Sequence, residues 1–284
     1  MRIEDLLPSS GMPRTQLAPN REDLWFGVDN LVAYRQRGGH ALYGETDITY
    51  RLNSLGYRAP EFSVQADMRM ISIGCSWTFG IGVPEDAVFH ELFAARLRAQ
   101  VNRTVVNWNL GLSATGADYI ARVLHLAVPL LDPDIVLILF SGLGRRECMA
   151  ANNRYITYVP NSVPWDGKTD SVLREVSHHF SSLSSSQDDQ LHFFRHYKSI
   201  ERLLADRCWL FAFLNADEVT SVDPHLNRSK YVHWGRVVDK ARDNMHPGPR
   251  THEAIFRSYW ERFVANGGLE LFGWQVPEAT PREF

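Results

Sequence analysis

Three short apolar runs set the strongest limit on what this chain can become. They are Met70–Ile73, Thr104–Leu110 and Asp134–Phe140. Each closes on a loop of small residues, and the first two run on into segments with helical spacing, Val88–Gln100 and Ala117–Leu130. After its opening aspartate the third run, DIVLILF, is unbroken by polar residues, as a strand buried on both faces of a parallel sheet must be. Strand, loop and helix in repetition predict a doubly wound α/β domain, with chemistry in the loops beyond the carboxyl ends of the strands. A further helix is expected over Leu191–Asp206, a fourth strand over Cys208–Leu214 and a last helix from about Arg250 to Ala265.

The remainder divides around that core. Residues 1–66 form an N-terminal extension. Within it the first two dozen residues read as draped on the surface, Leu24–Tyr34 as a helix, and Tyr43–Leu52 as short strands or a hairpin. Residues 67–284 form the main domain, interrupted by an insertion at about 149–190 that includes the polar run Ser181–Gln190 and has the length of a lid. At 284 residues and 44% hydrophobic content one good core can be buried. A net charge of −3 with no basic, aromatic-interleaved cluster argues against nucleic acid as a partner. No run is apolar for long enough to span a membrane, and three cysteines without metal-type spacing fit a reduced, cytoplasmic setting.

Candidate chemistry sits in the loops. Gly74-Cys75-Ser76 follows the first strand, and a serine on such a tight turn can hold its hydroxyl into a cleft; it can equally be an ordinary helix cap. A serine needs a base, and the base needs an orienting group. Asp243 lies three residues before His246, and Pro247-Gly248 follows, so one short turn can present carboxylate and imidazole together. A surface Asp and His beside a helix start is the alternative.

Taken in order, these blocks resemble the SGNH (GDSL-like) hydrolase family from roughly Asn53 to Val264. Gly74-Cys75-Ser76 resembles the first block, with Cys75 at the usual aspartate, in the longer form Gly-Cys-Ser-aromatic-Thr-Phe-Gly. Asn109-Leu110-Gly111 through Gly116 resembles the second block and Asp243-x-x-His246-Pro247-Gly248 the last. The resemblance implies a three-layer, flavodoxin-like sandwich and a serine esterase acting on a small-molecule or carbohydrate ester, without metal or organic cofactor. Acyl transfer by the same triad, or a ligand-binding protein without turnover, are the alternatives. Ser76, His246 and Asp243 would be nucleophile, base and orienting acid. Backbone N–H groups of Ser76 and of Gly111 or Ala114 would form the oxyanion hole. The third block departs: Ser141-Gly142-Leu143-Gly144-Arg145-Arg146-Glu147 has no asparagine where the family has one. Losing one oxyanion donor typically costs about 2.7–4 kcal/mol, so Arg145 or Arg146 is a candidate replacement or an anchor for an anionic substrate. An ion pair with Glu147 is the plain alternative.

Trp77, Tyr231 and Trp234 are candidates for aromatic substrate contacts or for core. Asp217 and Glu218 follow a buried strand and can line the cleft. His192 and His196 have helical metal spacing, but no third ligand is evident, so they read as ordinary helix-face residues, with His178, His179 and His252 as surface or helix positions.

Overall fold

The computed structural model describes residues 2–150, 154–160 and 171–273, apart from the side chains of residues 183 and 216–218. Four strands form its central sheet: β1 (Met68–Gly74), β2 (Val105–Asn109), β3 (Ile135–Phe140) and β4 (Cys208–Phe213). Their order is β2-β1-β3-β4 and all pairs are parallel, with Ser72 opposite both Asn109 and Leu137, and Phe140 opposite Phe213. The connecting helices are α1 (Phe89–Val101), α2 (Ala117–Leu131), α3 (Ser171–Leu183), α4 (Ser186–Leu203) and α5 (Pro249–Ala265).

Alternation along the strands builds two apolar layers, because successive side chains of a strand point to opposite faces. Ile71, Ile73, Val136, Ile138, Phe211 and Phe213 pack toward α2 and α4, meeting Ile120, Leu124, Phe193 and Tyr197. Met68, Met70, Leu137, Leu139 and Leu210 pack on the other side against Phe89, Phe93 and Leu97 of α1 and Ile255, Tyr259 and Phe263 of α5. The α/β fold, with a parallel sheet flanked by helices, is the architecture expected.

Outside the sheet the chain departs from expectation. A short helix, Ile3–Leu6, lies in the stretch expected as draped, and the helix expected over Leu24–Tyr34 begins only at Leu31, where Asn30 Oδ1 accepts from Ala33 N–H at 2.9 Å; Phe26 and Asn30's neighbour Asp29 close a tight turn before it. Of Tyr43–Leu52 only Tyr50–Arg51 is strand, paired antiparallel with Glu22–Asp23. The run Ser181–Gln190, expected as a loop, is mostly helix: α3 ends at Leu183, and the Ser185 side chain accepts from Asp188 N–H to start α4. A ribbon of Arg146–Met149 with Tyr155–Tyr158 leads from the sheet into the expected insertion. Residues 151–153 and 161–170 of it lie outside the described residues, as do the side chains of Asp217 and Glu218. No described helix is long and apolar enough to cross a membrane.

Candidate active site

β1 ends at Gly74, a position with no room for a side chain: a Cβ there would lie 2.4 Å from Thr78 Oγ1 and 2.6 Å from Leu139 O. The chain turns at Cys75 straight into the single helical turn Ser76–Phe79. Ser76 therefore sits at the carboxyl end of a central strand, with little solvent exposure of its own. Among the described residues its hydroxyl makes only a 4.0 Å contact with Cys75 Sγ.

A buried polar chain supports that turn from behind. Ser72 Oγ donates to Asn107 Oδ1 at 2.8 Å, and Asn107 Nδ2 meets His90 Nδ1 at 2.8 Å. His90 Nε2 lies 2.8 Å from Thr78 O. A carbonyl can only accept, so the proton is assigned to Nε2 and Nδ1 is the acceptor. At the turn's other end the buried Arg58 donates to the carbonyls of Phe79 (3.2 Å) and Gly80 (2.6 Å) and also to Val83 O. Cations favour the carbonyl end of a helical turn, and these carbonyls have no helical partner of their own.

Asp243 and His246 are held as one unit. His246 Nδ1 hydrogen-bonds Asp243 Oδ2, while the backbone N–H groups of Met245 and His246 both donate to Asp243 Oδ1 at 3.0 Å. Burial pushes the Asp243 carboxyl upward, but the His246 hydrogen bond, its charge and the two backbone donors outweigh burial and hold it below the usual value. The turn is pinned by Ala241 N–H to His246 O at 2.9 Å, and by Asp239, whose carboxylate caps α5 at Arg250 and Thr251. His246 Nε2 has no hydrogen-bond partner among the described residues.

The two halves meet through the backbone. Arg242 N–H donates to Gly82 O at 2.9 Å, so the residue before Asp243 is tied to the segment leaving the Ser76 turn. Gly82 is at φ +76°, and a Cβ there would lie 2.7 Å from Ala241 Cβ. Trp77 and Trp234 add an edge-to-face contact at 5.8 Å between centroids. Among the described residues no hydrogen bond joins Ser76 Oγ to the His246 ring. The Arg242–Gly82 bond thus brings the segments of the two motifs together, and among the described residues the His246 ring is engaged through Nδ1 alone.

Several expected roles change. Gly111 N–H donates to Asn109 Oδ1 at 2.9 Å and is not available to an oxyanion. Its place is against the helical turn, where a Cβ would lie 2.6 Å from Phe79 N. Ala114 holds φ +66°, the left-handed conformation that favours glycine, and its N–H and that of Ser76 have no acceptor among the described residues. Arg146 is not a substrate anchor: it is buried, donates to Leu143 O at 2.8 Å and to Asp189 Oδ1 at 2.7 Å, and also pairs with Asp188. Glu147 pairs with Arg122 through two bonds of 2.7 and 2.8 Å rather than with Arg145 or Arg146. Tyr231 is core, packed on Phe211 and Phe213. Trp234 is also core, its Nε1–H satisfied by Phe213 O at 2.7 Å, so it supports Trp77 from beneath. Arg145 alone of the two arginines lines a cleft, about 480 Å³ in volume.

His90, Arg58, Tyr50 and Asp29 are the supporting residues that sequence reasoning missed. Arg58 ends the stretch Asn-Ser-Leu-Gly-Tyr-Arg, residues 53–58, ahead of the first block; the other three carried no local signal. His192 and His196 face each other on α4, with burial and the neighbouring His192 holding His196 below its ordinary value. No group of three or more metal-type ligands occurs among the described residues.

Comparison with solved structures finds distant likenesses only. An acetyl xylan esterase, Est2A, from the rumen bacterium Butyrivibrio proteoclasticus aligns over 72% of this chain and 66% of its own, at 12% identity and TM-score 0.43. The psychrotrophic esterase EstA from Pseudoalteromonas sp. aligns over 70% of this chain and 98% of its own, at 11% identity and TM-score 0.44. A two-domain esterase active on acetylated mannans aligns over 76% and 54%, at 13% identity and TM-score 0.46. No protein-family profile matches the chain, and no curated protein does. Likenesses this remote lend no weight to a function, which has to rest on the site itself.

Proposed function

We propose that this chain is a serine hydrolase that cleaves an ester of a small molecule or carbohydrate through Ser76, His246 and Asp243. The observation that carries the reading is the hydrogen-bonded Asp243–His246 pair, tied by the Arg242–Gly82 backbone bond to the segment that carries Ser76. Ser76 Oγ attacks the ester carbonyl while His246 Nε2 takes the hydroxyl proton. Asp243 holds Nδ1–H and favours the imidazolium that results. The tetrahedral oxyanion is met by the N–H groups of Ser76 and Ala114. His246 then returns the proton to the departing alcohol, and a water, deprotonated by the same ring, releases the acid from the acyl-serine. Catalytic hydrogen bonds that are open before substrate arrives commonly close in the complex, which suits a free Ser76 hydroxyl and a free Nε2.

A fluorophosphonate probe followed by peptide mass spectrometry tests this reading, with short p-nitrophenyl esters as substrates. Labelling at Ser76 and ester turnover, both absent in Ser76→Ala, are expected. A second reading, a fold that binds an ester without turning it over, is favoured by the lack of asparagine in 141–147. It predicts neither labelling nor turnover. Labelling without hydrolysis would favour acyl transfer to another alcohol.

A further inference from the structure

In the loop that leaves β3, every charge but one has its counter-charge within the fold. Arg146 is matched by Asp188 and Asp189, and Glu147 by Arg122. Arg145 is half-buried, and among the described residues its guanidinium has no carboxylate partner. Its position is well fixed: its N–H donates to Gly142 O at 3.2 Å, and Gly116 lies so close that a Cβ there would be 2.5 Å from Arg145 O.

Arg145 lines the cleft of about 480 Å³ beyond the carboxyl ends of β3 and β4, a volume within the range of small-ligand sites. The other walls include Leu143, Val159, Pro160 and Leu214. Asp189 is the acid on the lining, and its Oδ1 is committed to Arg146. Ser76 is not on the lining, but β3 is the immediate neighbour of β1, so the two loops adjoin. An unmatched guanidinium on a wall of mixed apolar and neutral polar residues, Ser186, Gln190, Asn215 and Ser221 among the latter, favours a planar anion, which it can grip with two parallel hydrogen bonds.

We propose that this cleft binds a carboxylate on the substrate, so that the preferred ester carries a free carboxylate held by Arg145 away from the carbonyl under attack. The inference rests on the hydrolase reading for its place in catalysis, but the binding site itself does not require turnover. Two substrate pairs, differing in a carboxylate on the acyl or the alcohol side, test it: 4-nitrophenyl monoadipate against 4-nitrophenyl hexanoate, and 4-acetoxybenzoate against phenyl acetate. In at least one pair, kcat/KM should favour the charged ester by about tenfold, through KM. Arg145→Gln should bring that ratio to about one, and Arg145→Lys should keep part of it. Calorimetry of monomethyl adipate on Ser76→Ala protein reads binding without chemistry, with Ser76→Ala/Arg145→Gln as its comparison. Binding that is lost with Arg145→Gln while no ester is hydrolysed would sustain this inference and overturn the hydrolase reading. No charge preference in either pair together with no Arg145-dependent binding, or a preference that survives Arg145→Gln, would overturn the inference.

Discussion

Arg242 and Asp29, 213 positions apart in the chain, form an ion pair from which water is excluded on both sides, with Nη2 to Oδ2 at 2.7 Å. Arg242 stands immediately before Asp243, and Asp29 belongs to the N-terminal extension. Tyr50 completes the link, its hydroxyl donating to Asp29 Oδ2 at 2.6 Å and accepting from Gly82 N–H at 2.8 Å. The guanidinium also donates to Gly44 O, Glu45 O and Leu24 O and lies over the Trp25 ring. The extension thus holds the Asp243–His246 turn and the segment that leaves the Ser76 turn to a common anchor.

Removing one partner of such a pair strands a buried charge. Asp29→Ala should cost about 3–5 kcal/mol in urea unfolding. Tyr50→Phe leaves Gly82 N–H and one Asp29 lone pair unsatisfied and should cost roughly 1–3 kcal/mol. If the anchor also aligns the two turns, Tyr50→Phe lowers kcat at a temperature where the variant is fully folded. Unchanged kcat would confine the network to stability.

His90 reaches the Ser76 turn through Thr78 O. His90→Phe removes that donor and one of the two acceptors of Asn107 Nδ2, the other being Glu91 Oε1, and should destabilise by roughly 1–3 kcal/mol. Its kcat on a p-nitrophenyl ester should fall more than KM changes, and His90→Gln, which restores an amide donor, should recover part of the loss.

Among the described residues, Ala114 is the exception among five non-glycine residues at positive φ; the others are Asn20, Asn102, Asp132 and Asn244. Asparagine and aspartate tolerate that conformation, whereas alanine carries a cost of roughly 1–2 kcal/mol with no side-chain hydrogen bond to offset it. Ala114→Gly relieves it at some cost in unfolded-chain entropy, so a net gain of about 0.5–1 kcal/mol is expected by thermal unfolding. Lower stability would show that the loop is not strained there.

Burial, first of all, pushes the His252 imidazole down to about 3, with nearby His90 acting in the same direction. In the unfolded chain it returns to about 6.5 and binds a proton that the folded state refuses. Stability contributed by neutral His252 is therefore full above about pH 6.5 and declines as pH falls toward 3. At pH 4.5 the loss is roughly 2–3 kcal/mol by the standard conversion of pH units. His252→Gln should flatten the stability profile between pH 6.5 and 4.5, measured by urea midpoints; an unchanged slope would assign the acid sensitivity elsewhere.

What the sequence disclosed follows from where the determinants lie. DIVLILF and CWLFAFL are strands because burial on both faces demands apolar residues at every position, a requirement visible without coordinates. Asp243 and His246 are legible because three residues of chain suffice to bring them together. The extension was misread because its structure is held by distant partners: Arg58 by the carbonyls of the Ser76 turn, Asp29 by Arg242, Thr15 by Gly56 O. The serine-rich 181–190 run looked structureless, yet Ser185 serves as a helix cap, the role its polar side chain favours. Arg145 and Arg146 are neighbours with opposite fates, decided by Asp188 and Asp189 about forty residues away.

The most direct test of the central claim is the pre-steady-state release of p-nitrophenol from a short ester by the wild type, Ser76→Ala and His246→Ala. A burst of about one equivalent per chain in the wild type, abolished in both variants, is the result the acyl-serine account predicts. Turnover that persists undiminished in Ser76→Ala would contradict it.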